Sequence, residues 1–338
     1  MLASQLIYTA CGKDKTGAFS VWAKSADISK AESDEITKMM LYKRPADLPY
    51  EPTEEELNTL FPKKIGYFTL SSGRYCLAQA AYIGKVYSDL DMRSGNYIIH
   101  AFVMDNADEL LPMTYIGSDV FKTSLTYEEW HENDAPETLP QVDLSEKLNG
   151  LSKPDIDAFF DSTNCYKLEL LLQSVIDSIN TGDKVTFYDK DANLKYWYKA
   201  ISLCLPRSMQ NKVTFCSFYT PTPPVPTQSM ASTTTAQIDV QIRNVLPTVM
   251  TSVYSYAQDV RNGKKAFDFE NNIINENIVV SRYVRTIVCA IKENLFNALM
   301  MVDTVEKFIR NFGCTVDQAA SLYCLQKGNH ECLRMLLT

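Results

Sequence analysis

Tyr82-Ile83-Gly84-Lys85-Val86-Tyr87-Ser88-Asp89-Leu90-Asp91-Met92-Arg93-Ser94-Gly95-Asn96-Tyr97-Ile98-Ile99-His100-Ala101-Phe102-Val103 is a polar turn that runs straight into an apolar strand. Asn96 to Met104 reads as a strand whose side chains after Asn96 are apolar on both faces except at His100, as expected for the middle of a sheet covered on both faces. The same stretch gathers side chains with chemical capacity. Arg93 brings a permanent fork of donors, Asn96 a small amide and His100 an imidazole, and Gly95 allows a positive φ.

Working outward, Lys64 to Leu70 and Tyr75 to Ile83 read as two strands joined through Ser71-Ser72-Gly73, a hairpin. Gln5 to Thr9 and Ala18 to Lys24 read as short strands, and Lys30 to Tyr42 as a helix with Ile36, Met39 and Met40 on one side. Between them, Pro45, Pro49, Pro52 and Pro62 bracket Glu54-Glu55-Glu56, placed as the first turn of a helix, where carboxylates favour the dipole. These elements predict an α+β domain over residues 1–140. The polar, proline-interrupted segment from Trp130 to Pro140 is its boundary.

Beyond it the period changes. Leu168, Leu171, Leu172, Val175, Ile176 and Ile179 form the stripe of a packed helix, with Gly182 just past its end. Val185 and Phe187 alternate in a strand, Ala192 to Leu205 reads as a helix stopped by Pro206, and Lys212 to Tyr219 returns as a strand. An α/β middle domain over 150–248 follows, closing with a half-exposed strand from Gln237 to Val245. The stretch Pro221 to Thr235 is low in complexity and is expected to be an exposed loop. From about Val279 the stripe Val284, Ile287, Val288, Ile291, Leu295 and Leu299 predicts an α-helical region over 249–338.

With 338 residues the chain exceeds one ordinary core, and 46% hydrophobic with 22% charged residues is the composition of a folded globular protein. The net charge of −8 comes without a dense basic run, which argues against a nucleic-acid partner. Nine scattered cysteines without close pairs favour reduced core thiols and a cytoplasmic location. Met1-Leu2-Ala3-Ser4-Gln5 has neither a basic start nor an apolar core, and no segment holds about 18 uncharged apolar residues, so neither a signal peptide nor a membrane span is expected.

No motif imposes a chemistry. Gly12-Lys13-Asp14-Lys15-Thr16-Gly17 has the glycine spacing of a phosphate-binding loop, but Ala18-Phe19 and a strand follow where lysine, a hydroxyl and a helix are needed. Cys314, Cys324, His330 and Cys332 lack a Cys-x-x-Cys knuckle, so no metal and no cofactor are expected. Cys11 with His100, oriented by Asn96 or Asp91, would supply a nucleophile and a base. Yet among nine cysteines and three histidines some pairing can always be drawn, and a satisfied structural histidine is the favoured reading of His100, ahead of ligand or partner contact and of catalysis. Arg93 divides between a salt bridge to Asp89 or Asp91 and a binding role.

Leu6-Ile7-Tyr8-Thr9-Ala10 with Gly17 and Phe19-Ser20-Val21, then Arg93-Ser94-Gly95-Asn96 and His100-Ala101, resemble the N-terminal domain of the bacterial GTPase-associated proteins. Leu170-Leu171 with Val175, Trp197, Leu205-Pro206, Val213-Thr214-Phe215 and Phe218-Tyr219-Thr220 are similar to that family's central domain, so the likeness covers roughly residues 1 to 245. The resemblance implies a non-enzymatic interaction or sensor component of a predicted bacterial conflict or defence system, with the GTPase activity in a neighbouring chain. It supplies no catalytic residues. Arg93, Gly95, Asn96 and His100 match its motif and become a candidate binding or structural centre. Two alternatives stand beside it: a hydrolase-type enzyme using His100 with Cys11 or Asn96, and a module binding a small anion through Arg93.

Overall fold

The computed structural model describes residues 1–10, 18–45, 48–85, 94–107, 110–126, 128–129, 136–144, 159, 162–181, 185–189, 191–217, 248–252, 267–268, 283–284, 287, 290 and 295–327. The first part of the chain forms strands β1 (Leu2–Ala10) and β2 (Phe19–Lys24), helices α1 (Lys30–Met39) and α2 (Glu54–Thr59), and strands β3 (Lys64–Thr69), β4 (Tyr75–Lys85), β5 (Ser94–Met104) and β6 (Val142–Asp143). Helices α3 (Ser162–Thr181), α4 (Asp191–Cys204) and α5 (Arg207–Gln210) follow, interleaved with β7 (Val185–Asp189) and then β8 (Phe215–Cys216). Strands β9 (Thr248–Ser252) and β10 (Phe267–Asp268) and helices α6 (Leu295–Phe312) and α7 (Val316–Lys327) complete it. The fold is α+β.

The principal sheet has the order β2-β1-β5-β4-β3-β8, every neighbouring pair antiparallel, with β6 paired to β1. β5 lies inside it, between β1 and β4, and its residues are apolar on both faces because each face of the sheet is covered by a core. One face carries Leu6, Ala78, Ala80, Ile99, Ala101 and Val103 and is covered by Ile36, Met39 and Met40 of α1. The other carries Ala3, Tyr67, Leu77, Phe102 and Met104, which share one core with Leu171 and Val175 of α3, Trp197 and Ile201 of α4, Val305 of α6 and Ala320 of α7.

Local chemistry explains the element ends. Ser29 and Glu32 form a capping box on α1, with Ser29 N–H donating to Glu32 Oε2 at 2.8 Å, and Thr53 with Glu56 repeats it on α2. At the far end of α1 the buried ammonium of Lys64 donates to the carbonyls of Met39 and Leu41 at 2.8 and 3.1 Å. The β3–β4 turn is held to α1, since Glu35 accepts from Ser71 and Glu32 from Ser72.

Some expected elements differ. Of the strand expected from Lys212 to Tyr219, the ladder among the described residues comprises Phe215 and Cys216, and it extends the first sheet beside β3, while Phe218 and Tyr219 lie outside the described residues. Ser217 secures it, donating its N–H to Ile65 O and accepting from Ile65 N–H, both at 2.8 Å. β7 instead is the central strand of a separate parallel sheet, β10-β7-β9. The expected strand at Gln237 to Val245 and the loop at Pro221 to Thr235 lie outside the described residues. Cys76, Cys204, Cys216 and Cys314 are free thiols, but Cys324 is disulfide-bonded, which corrects the expectation of reduced cysteines throughout.

Candidate functional site

His100 lies on β5 directly opposite Ile7 of β1 and Gln79 of β4. Residues two apart on a strand share a face, so Gln5, Ile7, Gln79, His100 and Phe102 all lie on the face away from α1. The ring is 4% exposed, and hydrogen bonds orient both nitrogens. Nδ1 accepts the backbone N–H of Lys122 at 2.9 Å, and Nε2 sits 3.1 Å from Gln5 Oε1. Because Nδ1 accepts, the network assigns the proton to Nε2, which donates to Gln5. Gln5 Nε2 in turn donates to the carbonyl of Pro140 at 2.6 Å. Four chain segments are thereby tied through one imidazole.

A cleft of about 550 Å³ opens beside the ring. Gln5, Ile7 and Trp22 form its sheet side, and Asp119, Phe121, Lys122 and Glu129 its outer wall. Trp22 occupies a bulge: Ile7 pairs with Ala23 and Tyr8 with Val21, so the register steps past the indole residue between them. Its Nε1 donates to Glu129 O at 3.2 Å. Lys122 Nζ meets Glu129 Oε1 at 2.8 Å, while Glu129 Oε2 accepts from Thr126 N–H at 2.8 Å and Thr126 Oγ1 accepts from Glu129 N–H. Burial pushes the Glu129 carboxyl up, but the Lys122 hydrogen bond, the Thr126 N–H and the Lys122 charge together hold it below the usual carboxylate range.

Asn96 is engaged elsewhere. Its side chain is 1% exposed, and Oδ1 accepts from Thr9 Oγ1 and from Ala10 N–H, each at 3.1 Å, closing the end of β1 against β5. Four residues along a strand span about 13 Å, so Asn96 does not orient His100. Gly95 has φ +110°, and a Cβ there would stand 3.4 Å from the Tyr50 hydroxyl. Opposite it the β4–β5 register shifts at Gly84, another positive-φ glycine.

The structure therefore places Gly95, Asn96 and His100 on one strand and gives Asn96 and His100 separate structural partners. Arg93 and Cys11, like Asp89 and Asp91, lie outside the described residues. The cleft wall formed by Asp119, Phe121, Lys122 and Glu129 was not anticipated from sequence; the signal for it is Gln5, a half-buried amide beside apolar neighbours Leu6 and Ile7, which calls for a polar counterpart. Of the suggested zinc ligands, Cys324 is disulfide-bonded and His330 and Cys332 lie outside the described residues. Among the described residues no group of three His, Cys, Asp or Glu side chains is placed to hold a metal, and no helix is long and apolar enough to cross a membrane.

Apart from β8, the strands of the first sheet, its α1 cover and the β5 motif lie in one continuous stretch of chain, ending with β6. Residues 2–144 match the family model for GTPase-associated protein 1, N-terminal domain type 2. The matched stretch begins at the first residue of β1 and ends one residue past β6, so it includes every strand of the large sheet except β8. No curated protein matches the chain.

Proposed function

We propose that this chain is a non-enzymatic interaction or sensor component of a GTPase-linked bacterial conflict or defence assembly, its N-terminal domain engaging a GTPase encoded beside it. The observation that carries the reading is the match of residues 2–144 to a GTPase-associated domain. The hydrogen-bond pattern is in keeping with it: both His100 nitrogens and the Asn96 carbonyl oxygen hold strands and a loop together rather than face one another. On this reading the domains are 1–140, 150–248 and 249–338, with β9 running across the second boundary to pair with β7, the middle one resembling the family's central domain, and the chain works in the cytoplasm. Gly95, Asn96 and His100 lie on β5, and with Arg93 they remain the candidate binding or structural centre.

Gel filtration of the full chain mixed with that GTPase, loaded with GDP or with a non-hydrolysable GTP analogue, tests it. Co-elution in at least one nucleotide state is expected. Separate elution in both, at concentrations of about 50 μM where micromolar complexes persist, overturns the reading.

A further inference from the structure

The wall of the cleft is held to the sheet in an unusual way. The backbone N–H of Lys122 bonds to the His100 ring and not to a strand carbonyl. Side chains also fasten the segment Asp119 to Thr126: Phe121 packs on Phe102 with ring centroids 5.4 Å apart, Leu125 shares a buried cluster with Ile7 and Trp22, and Lys122 pairs with Glu129. The hydrogen bond to the imidazole lone pair holds the Lys122 backbone at the centre of the wall.

We propose that His100 is a pH-sensitive latch, pinning Lys122 to the sheet when neutral and releasing this wall of the cleft when protonated. The step is a single proton transfer. A proton from solvent enters the Nδ1 lone pair, the pair that accepts the Lys122 N–H, so two donors then face each other at 2.9 Å. The Nε2–H bond to Gln5 survives, because that nitrogen donates in both states. Closure requires the neutral ring, so it is complete at higher pH and lost as the ring takes up a proton.

The neighbours set how far this goes. Gln5 and Ile7 from β1, Gln79 from β4 and Trp22 from β2 carry no charge. Among the described residues the charged groups lining the cleft with the ring are Asp119, Lys122 and Glu129. Lys122 opposes a second positive charge, while Asp119 and Glu129 favour one, and the Lys122–Glu129 pair at 2.8 Å offsets part of each. The Phe121 and Leu125 contacts persist in both states and keep the opening local. The latch is independent of the GTPase-linked reading.

Hydrogen exchange of the full chain, followed by mass spectrometry on peptides spanning 118–129 and corrected for the intrinsic pH dependence of exchange, tests the latch. Between about pH 7.5 and about pH 5 the wild type should lose roughly tenfold or more in protection there, the change that one unit of pKa difference between states produces. Peptides of the β3–β4 hairpin serve as the internal reference and should keep theirs. In His100→Asn the amide oxygen replaces the Nδ1 acceptor without titrating, and protection of 118–129 should stay flat. Equal losses in 118–129 and the hairpin, an unchanged wild type, or a parallel loss in His100→Asn would each overturn it. If His100→Asn fails to fold, the two wild-type outcomes still decide.

Discussion

Gln5 and His100 meet across β1 and β5 with Oε1 and Nε2 3.1 Å apart, the middle link of a chain that runs from the Lys122 N–H through the imidazole and the Gln5 amide to the Pro140 carbonyl. Each group in this chain has a fixed donor or acceptor role, so the ring orients the amide and the amide orients the loop end. Such a network is cooperative, and removing its centre leaves several polar groups without partners. His100→Ala should therefore lower unfolding stability by about 2–4 kcal/mol, combining a cavity with the orphaned Lys122 N–H. Urea denaturation measures it, and a loss under about 0.5 kcal/mol would show that the network is not structural.

Asn96→Ala removes the acceptor shared by Thr9 and Ala10 at a site 1% exposed. The expected cost is about 1–3 kcal/mol, the penalty for leaving buried donors unmatched. In the same denaturation experiment the deficits of His100→Ala and Asn96→Ala should add, since the two networks share no residue. A coupling well above about 0.5 kcal/mol would mean that they form one site after all.

Gly95→Ala tests the end of β5 where the family motif lies. At φ +110° an L side chain is strained, and its Cβ would press on Tyr50 at 3.4 Å. A loss of about 1–3 kcal/mol is expected, with the Tyr50 ring displaced in near-ultraviolet circular dichroism. Full retention of stability would mean that the turn relaxes to a conformation open to any residue.

Arg74 gathers three carboxylates: Asp27 at 2.8 Å, Asp105 at 2.8 Å and Glu32 at 3.6 Å. Burial raises the Asp27 and Glu32 carboxyls, but hydrogen bonds outweigh it, from Ser4 and Arg74 to Asp27 and from Ser29 and Ser72 to Glu32, and with the Arg74 charge they hold both below the ordinary range. Acids lowered in the folded state contribute stability that is present above their unfolded values, near about 4, and lost as pH falls through the lower folded ones. Arg74→Met should thus be most destabilised near neutral pH, with a deficit that narrows as pH falls to about 3. Because Asp27 and Asp105 are 45% and 88% exposed, the effect is screened and is best read at low salt by thermal denaturation. A deficit of equal size at both pH values would place the role of Arg74 in packing alone.

What the sequence discloses is what depends on near neighbours. The Ser71-Ser72-Gly73 hairpin, the Thr53-Glu56 cap and the two-faced apolarity of β5 are local patterns with direct physical causes, and each is visible in the chain as written. The partners of His100 are not. Lys122 contributes a backbone N–H, which leaves no trace in residue type, and only the half-buried amide of Gln5 hints at a polar seam on that face. Phe215 and Cys216 join β3 from about 150 residues away, a pairing set by the shared core and not by any pattern in 212–219. Asn96 and His100 look like one constellation in sequence because they are four residues apart; strand geometry separates them.

The central claim is that the N-terminal domain engages a GTPase. A calorimetric titration of the full chain into the GTPase encoded beside it, once with GDP and once with a non-hydrolysable GTP analogue, tests it most directly. The account predicts saturable binding with affinities that differ at least about tenfold between the two nucleotide states, a gap of about 1.4 kcal/mol. The absence of binding in both states would contradict it.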